Sequence, residues 1–244
     1  MVVILNALVF CCVGLALALF GGGGAMILIP YLKQALGFPV DQAALLSLIT
    51  IGTNTGIQTI QDRKAIAWTP VLLFSVVSFP VATLSGHYLA PITSDTLRMI
   101  LFGLFTLSVA LMMMLRKNRE SEDQSINLPG LGFAAITTGI ICGLVGVGGG
   151  IFITPALIMF YGLSIKESIR SSLAIVALQS LAALGAYLNR GVSIEPTFLL
   201  LTMATIAIGF IAGKRIKHLL PDQKLKQWFS LFLLVVGTWV LIRP

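Results

Sequence analysis

Charge is scarce in this sequence, and acidic charge most of all. Of 244 residues, 9 are Asp or Glu and 16 are Lys or Arg, so charged residues make up 10% of the chain. A soluble domain carries about 25%. The hydrophobic fraction is 57% and the mean hydropathy +0.98. An ordinary water-soluble globule is excluded, and a polytopic membrane protein remains. All nine acids fall in loops or at the ends of predicted spans. A cation site would want carboxylates inside the membrane, so their lack argues against one and removes the usual proton carrier.

Histidine and cysteine are sparse too. His87 and His218 are the only side chains that titrate near neutral pH. His87 falls near the outer end of its span and His218 in a basic loop, so a coupling proton stays open as a partner through either. The three cysteines, Cys11, Cys12 and Cys142, all sit in apolar stretches with no metal-ligand spacing. They read as small packing residues, and neither metal nor cofactor is expected. There is no Ser–His or His–carboxylate constellation, no H-E-x-x-H and no phosphate-loop lysine. An intramembrane enzyme would have to rest on Cys12 or Cys142, and the expectation is that the chain is not an enzyme.

Long apolar runs are what the sequence does have. A bilayer core of about 30 Å needs roughly 20 apolar residues per helical span. Runs of that kind cover 41–60, 68–90, 97–115, 168–188, 196–213 and 226–242. Two further regions, 3–37 and 129–162, are apolar but interrupted by glycine. The net charge of +7 sits in short loops between these runs. Orientation and anionic lipid headgroups account for it, and no nucleic-acid partner is implied. The first residues, "MVVILNALVFCCVGLALALF", lack the positive start of a secretion signal and are expected to stay on the mature protein.

Shifting the sequence by 125 aligns the two glycine regions. Gly14 meets Gly139, Leu19 meets Leu144, Gly21 meets Gly146, Gly23 meets Gly148 and Gly24 meets Gly149. Pro30 then meets Pro155, Leu32 meets Leu157, Gly37 meets Gly162 and Ser47 meets Ser172. Asn54 meets Gln179, a related amide. Late in each half the shift becomes 127 and pairs Gly86 with Gly213. The chain reads as a tandem duplication, 1–115 and 128–244, joined by the polar stretch 116–127 into one membrane domain.

The segments "GLALALFGGGGAMILIPYLKQALGFP" and "GLVGVGGGIFITPALIMFYGLS" resemble the paired signature of the TauE/SafE sulfite-exporter family. The resemblance covers nearly the whole chain and rests on the repeated glycine–proline–glycine spacing. The first copy departs slightly, with GGGGA at 21–25 against GVGGG at 146–150. The resemblance implies export or import of sulfur-containing anions such as sulfite, sulfonates and related organic acids.

Positive charge decides how the glycine regions run, because cytoplasmic loops are enriched in Lys and Arg. As single spans, they leave seven positive residues inside and nine outside. As hairpins, they gather twelve inside: Arg63, Lys64, Arg116, Lys117, Arg119, Lys166, Arg170, Lys214, Arg215, Lys217, Lys224 and Lys226. Four remain outside: Lys33, Arg98, Arg190 and Arg243. The hairpin reading is therefore preferred. The arm from Ala25 to Gly37 is about 20 Å of helix, too short to cross. The expected fold is all-α: six full spans plus two pairs of half-length helices. Each half then flips the chain once, giving an inverted repeat with both termini outside a cell (inner or plasma) membrane, the recurrent plan of secondary transporters.

Glycine lets the chain take positive φ and lets a ligand approach the backbone closely. After each tip a short helix begins, near Ala25 and near Ile151, and its first amides have no intrahelical partner. With the helix dipole, such an end cradles an anion without a charged side chain. The expected binding residues are Gly21, Gly22, Gly23, Gly24 and Ala25 at one tip, and Gly146, Gly148, Gly149, Gly150 and Ile151 at the other. The alternative is that the glycines serve close helix packing. Pro30 and Pro155 are assigned a structural role, a kink in each post-tip helix.

Two polar faces complete the candidate site. Ser47, Thr50, Asn54 and Gln58 share one helical face, and Ser168, Ser172 and Gln179 share another. Asn54, Gln58, Ser172 and Gln179 are taken as donors to the anion, with interhelical hydrogen bonding as the alternative. Arg170 sits where it can attract anions to the inner mouth. The expected function is a secondary transporter of a small anion. An anion channel using the same cradle, or a carboxylate transporter, is the alternative.

Overall fold

The described residues of the computed structural model, 2–115, 126–146, 150–189 and 191–242, form helices and no strand. The elements are α1 (Val2–Phe20), α2 (Gly24–Gln34), α3 (Val40–Gln61), α4 (Trp68–Leu84) and α5 (Asp95–Leu115), then α6 (Leu128–Val145), α7 (Gly150–Ala156), α8 (Ile165–Asn189), α9 (Pro196–Leu219) and α10 (Asp222–Ile242). A widened π turn extends α4 through Ser85–Leu89 and α7 through Leu157–Tyr161. Of the polar stretch 116–127, residues 116–125 lie outside the described residues.

Local chemistry sets the helix starts. Asn127 caps α6 by accepting the Gly130 N–H at 2.9 Å, with Pro129 just inside the helix. Ser164 and Glu167 form a reciprocal capping box before α8. The Glu167 carboxylate accepts the Ser164 N–H at 3.1 Å, and the Ser164 hydroxyl accepts the Glu167 N–H at 3.3 Å. Pro196 opens α9, where its missing N–H is not needed.

The glycine regions break as the sequence requires. α1 ends at Phe20, and Gly21 and Gly22 follow with φ of +72° and +138°. α6 ends the same way on Gly146, with φ of +75°. From each break the chain turns back on itself. Gly24 packs against Val13, and the Tyr31 hydroxyl donates to the Asn6 carboxamide at 2.6 Å, so α2 runs antiparallel to α1. In the second region the Asn127 N–H donates to the Phe160 carbonyl at 2.9 Å, which brings the two ends of that region together.

The arms are unequal, which corrects the expectation of four half-length helices. α1 has 19 residues and α6 has 18, whereas α2 has 11 and α7 has 7. The apolar runs before the breaks carry no proline beyond the first turn, where Pro129 is tolerated, and extend at full length until the first positive-φ glycine stops them. Seven helices among the described residues are long and apolar enough to cross a membrane, α6 included.

α1 packs most extensively on α9, α4 on α6, α3 on α8 and α5 on α10. The core is apolar, with Leu17, Met26, Leu46, Phe102 and Phe229 almost fully buried. The outside is apolar too: Leu72, Val76, Leu104, Leu200, Ile208 and Leu231 are all exposed. A surface of that kind needs hydrocarbon around it. Polar clusters lie at the two ends of α3. Arg98, 3% exposed, pairs with Asp41 at 2.7 Å near its start. Asp62, just past its end, pairs with Lys214 at 3.4 Å. Some 20 helical residues separate them, about 30 Å, the thickness of a bilayer core.

Candidate functional site

The two glycine breaks meet. A β-carbon on Gly22 would overlap the backbone of Gly150, and one on Gly150 would overlap Gly21 and Gly22. The missing side chains are therefore what allows this contact. Two hydroxyls bridge it. Helix α1 ends with carbonyls that have no intrahelical partner. The Ser172 hydroxyl of α8 donates to the Gly21 carbonyl at 2.9 Å. The Thr154 hydroxyl of α7 lies 2.9 Å from Ser172 Oγ and 3.2 Å from the Phe20 carbonyl. With one proton each, the arrangement that uses the two shortest contacts is a relay from Thr154 to Ser172 to Gly21. Both side chains are fully buried.

Just beyond, α2 begins at Gly24 with no side chain capping its N-terminus. Its first amides and its dipole make this end electropositive. Gly23 and Gly24 press their Cα positions against α1, near the carbonyls of Ala16 and Val13, and Ala25 is fully buried. Pro30 lies buried within α2, and Pro155 within α7 just before the π turn.

Helix α8 presents a stripe to the breaks. Ser172, Val176 and Gln179 follow one another at helical spacing. Ser172 reaches Gly21, and Val176 lies against Gly150. Gln179 is 0% exposed, and neither atom of its amide has a hydrogen-bond partner among the described residues. A buried unpaired amide costs about 1–3 kcal/mol. On α3 the matching stripe runs from Ala44, which touches Gly146, to Ser47, whose buried hydroxyl also lacks a partner among the described residues.

The other sequence-predicted residues lie elsewhere. Asn54 is half-buried, and its amide donates to its own helix, to the Thr50 carbonyl at 2.8 Å. Gln58 is buried near the end of α3 and donates to the Asp62 carboxylate. Gly148 and Gly149 lie outside the described residues, and Ile151 is the second residue of α7, directly after Gly150. His87 is exposed, its ring edge-on to Tyr88.

Two features escaped the sequence reading. The first is Thr154, which falls opposite Ile29 in the shifted alignment and so carries no repeat signal. The second is a basic vestibule of about 160 Å³ where the end of α3, the start of α8 and the end of α9 converge. Lys166, Arg170, Lys214 and Lys217 line it, with Gln58 and Asp62. Its inner wall includes Ala18, three residues before Gly21, and Leu173, next to Ser172. The vestibule thus adjoins the last turn of α1 and the Ser172 turn of α8. In sequence Arg170 alone is read as a charge at the inner mouth, and Lys166, Lys214 and Lys217 give no sign that they converge on it.

A family model described as Sulfite exporter TauE/SafE matches residues 6–240. The chain is 26% identical to a probable membrane transporter protein of Methanocaldococcus jannaschii, over 94% of this chain and 92% of the relative. It is 26% identical to one from Xylella fastidiosa over 95% and 92%, and 25% identical to one from Haemophilus influenzae over 96% of each. No solved structure matches the chain significantly.

Proposed function

The chain belongs to the sulfite exporter TauE/SafE family, and from that membership we propose that it is a secondary transporter of a small sulfur-containing anion. Sulfite, a sulfonate or a related organic acid would be bound between the two glycine breaks. The observation that carries this reading is the contact of Gly22 with Gly150, packed against Val176 of α8, three residues before the buried and unpaired Gln179. Neutral donors in a dry interior suit a guest that must leave again, whereas a fixed cation there would hold it.

We read the fold as an inverted repeat. Contacts related by the repeat support this. Gly21 lies against Ile169 and Gly146 against Ala44; both members of one contact stand 125 residues from those of the other. Gly213 lies against Ala18, and Gly86 against Gly143. The principal pairings obey the same exchange: α1 on α9 answers α6 on α4. Hairpin plus three crossings then brings the second half in from the opposite face. The vestibule end carries Arg63, Lys64, Lys214 and Arg215, so by the enrichment of positive residues in cytoplasmic loops it faces the cytoplasm. Both termini lie outside a cell (inner or plasma) membrane.

Uptake of radiolabelled sulfite into proteoliposomes tests the function. A secondary transporter saturates, and unlabelled sulfite on the opposite side accelerates uptake. Flux that stays linear with concentration would make the protein a channel. Carboxylate flux without sulfite or sulfonate flux would reassign the substrate.

A further inference from the structure

We infer that the Asp62 carboxylate is a tethered occupant of a second anion site in the vestibule, where it holds Lys214 and Gln58 in place of a free oxyanion that enters by displacing it. This rests on the transport reading and adds an entry site that the glycine breaks do not supply.

The charge arrangement leads there. Four cationic side chains face one cavity, and Asp62 is the single acid among its lining residues. Lys166 is engaged elsewhere, 2.7 Å from Asp222. Asp62 lies 3.4 Å from Lys214 and accepts the amide of Gln58, which is 5% exposed. A buried neutral donor and an ammonium converging on one carboxylate are a recognition set for an anionic oxygen. The occupant is weakly held: at 3.4 Å, with both side chains about a third exposed, the pair is of the class that adds little stability. Lys217 already feels the Asp62 charge; an untethered anion can also approach Arg170, which lines the same cavity. The cavity of about 160 Å³ gives it room, several times the space one water needs.

The pair also joins the halves. Asp62 belongs to the first and Lys214 to the second, 152 residues apart. Displacing the carboxylate frees that tie as the anion arrives. A lipid phosphate shares this chemistry, but the inner wall at Ala18 and Leu173, beside the break, favours a free ion.

The test is equilibrium binding. Full-length protein in phosphatidylcholine nanodiscs is titrated calorimetrically with sodium sulfite at low salt. Asp62→Asn should bind about tenfold more tightly than wild type, and Lys214→Gln about tenfold more weakly. In the Lys214→Gln background, Asp62→Asn should give no gain. Asp62→Ser repeats the first arm should the Asn variant fold poorly. Equal affinity of wild type and both Asp62 variants overturns the inference, as does an absence of binding by all of them. Phosphatidylglycerol in the discs should leave the affinity unchanged; competition with sulfite would assign the site to a lipid headgroup and overturn it. Proteoliposome uptake separates this from the transport reading. Asp62-sensitive binding with no uptake keeps the vestibule site and sinks transport. Uptake with Asp62-insensitive binding does the reverse.

Discussion

Gly22 and Gly150 touch through bare backbone, and the positive φ of Gly22 puts that contact where no other residue fits. The two breaks are thereby one mechanical element. Movement of either hairpin is felt by the other, and by Ser172 and Thr154, which stitch the end of α1 to α7 and α8.

That contact predicts a sharp contrast among glycines. Gly22→Ala and Gly150→Ala each force backbone apart in a packed interior and should cost about 3 kcal/mol. Gly56, within α3, has nothing within 4 Å of where a β-carbon would sit. Gly56→Ala should be neutral or stabilise by up to about 1 kcal/mol. Thermal melting of the purified variants in detergent checks both. Similar melting of all three would mean that the breaks do not touch.

Gln179 predicts opposite signs for stability and activity. Gln179→Leu removes an unpaired buried amide with little change in volume, so the melting temperature should hold or rise. Sulfite uptake should fall at least about tenfold, since a donor to the anion is lost. Full uptake by this variant would remove Gln179 from the site.

The hydroxyl relay predicts the reverse pattern. Ser172→Ala leaves the Gly21 carbonyl buried without its donor. The expected loss is about 1–3 kcal/mol. Thr154→Val should cost less, about 1 kcal/mol, because the shape is kept and Ser172 still serves Gly21. Chemical or thermal denaturation ranks the two; a larger loss at Thr154 would reverse the direction of the relay.

Much of this was legible in the residues. Gly21 and Gly146 announce breaks because helix cannot pass them in apolar surroundings without cost, and the spacing to Pro30 and Pro155 marks the return arms. Arm length was misjudged because only the arms after the breaks were measured, and the runs before them were taken to be equally short. Ser172 and Gln179 were legible as one stripe, since spacing alone puts them on a face. Asn54 was not, because a side chain that bonds its own helix at Thr50 looks the same in sequence as one that reaches across. The vestibule was hidden for a different reason. Asp62, Lys166 and Lys214 come from three helix ends, and only the packing of α3, α8 and α9 brings them together.

Arg170 lines the vestibule next to Lys217 and Lys214. Arg170→Gln should raise the KM for sulfite about fivefold at low ionic strength and leave the maximal rate unchanged, because a mouth charge steers the anion without taking part in the crossing. At about 1 M salt the Debye length falls to about 3 Å and the difference should vanish. A loss of maximal rate at every salt concentration would place Arg170 in the translocation step.

At the other end of α3, Arg98 is the most deeply buried charge of the polar cluster, and its partners are unequal. Asp41 lies at 2.7 Å and Asp95 at 3.7 Å, and the Ala90 carbonyl accepts from its guanidinium. The Asp41 side chain is 34% exposed, against 4% for Arg98. Removing Asp41 leaves a cation that water cannot reach with only the more distant Asp95 and a neutral carbonyl. Removing Arg98 leaves a carboxylate that can rehydrate. Asp41→Ala should therefore cost about 2–3 kcal/mol, and Arg98→Met, which keeps the packed stem, less than about 1 kcal/mol. The order follows from desolvation, even though Arg98→Met also gives up the attraction to Asp95 and the bond to Ala90. Melting curves of the two proteins decide it: if Arg98→Met is the worse, the attraction outweighs the burial cost and the cluster is a true clamp between the starts of α3 and α5.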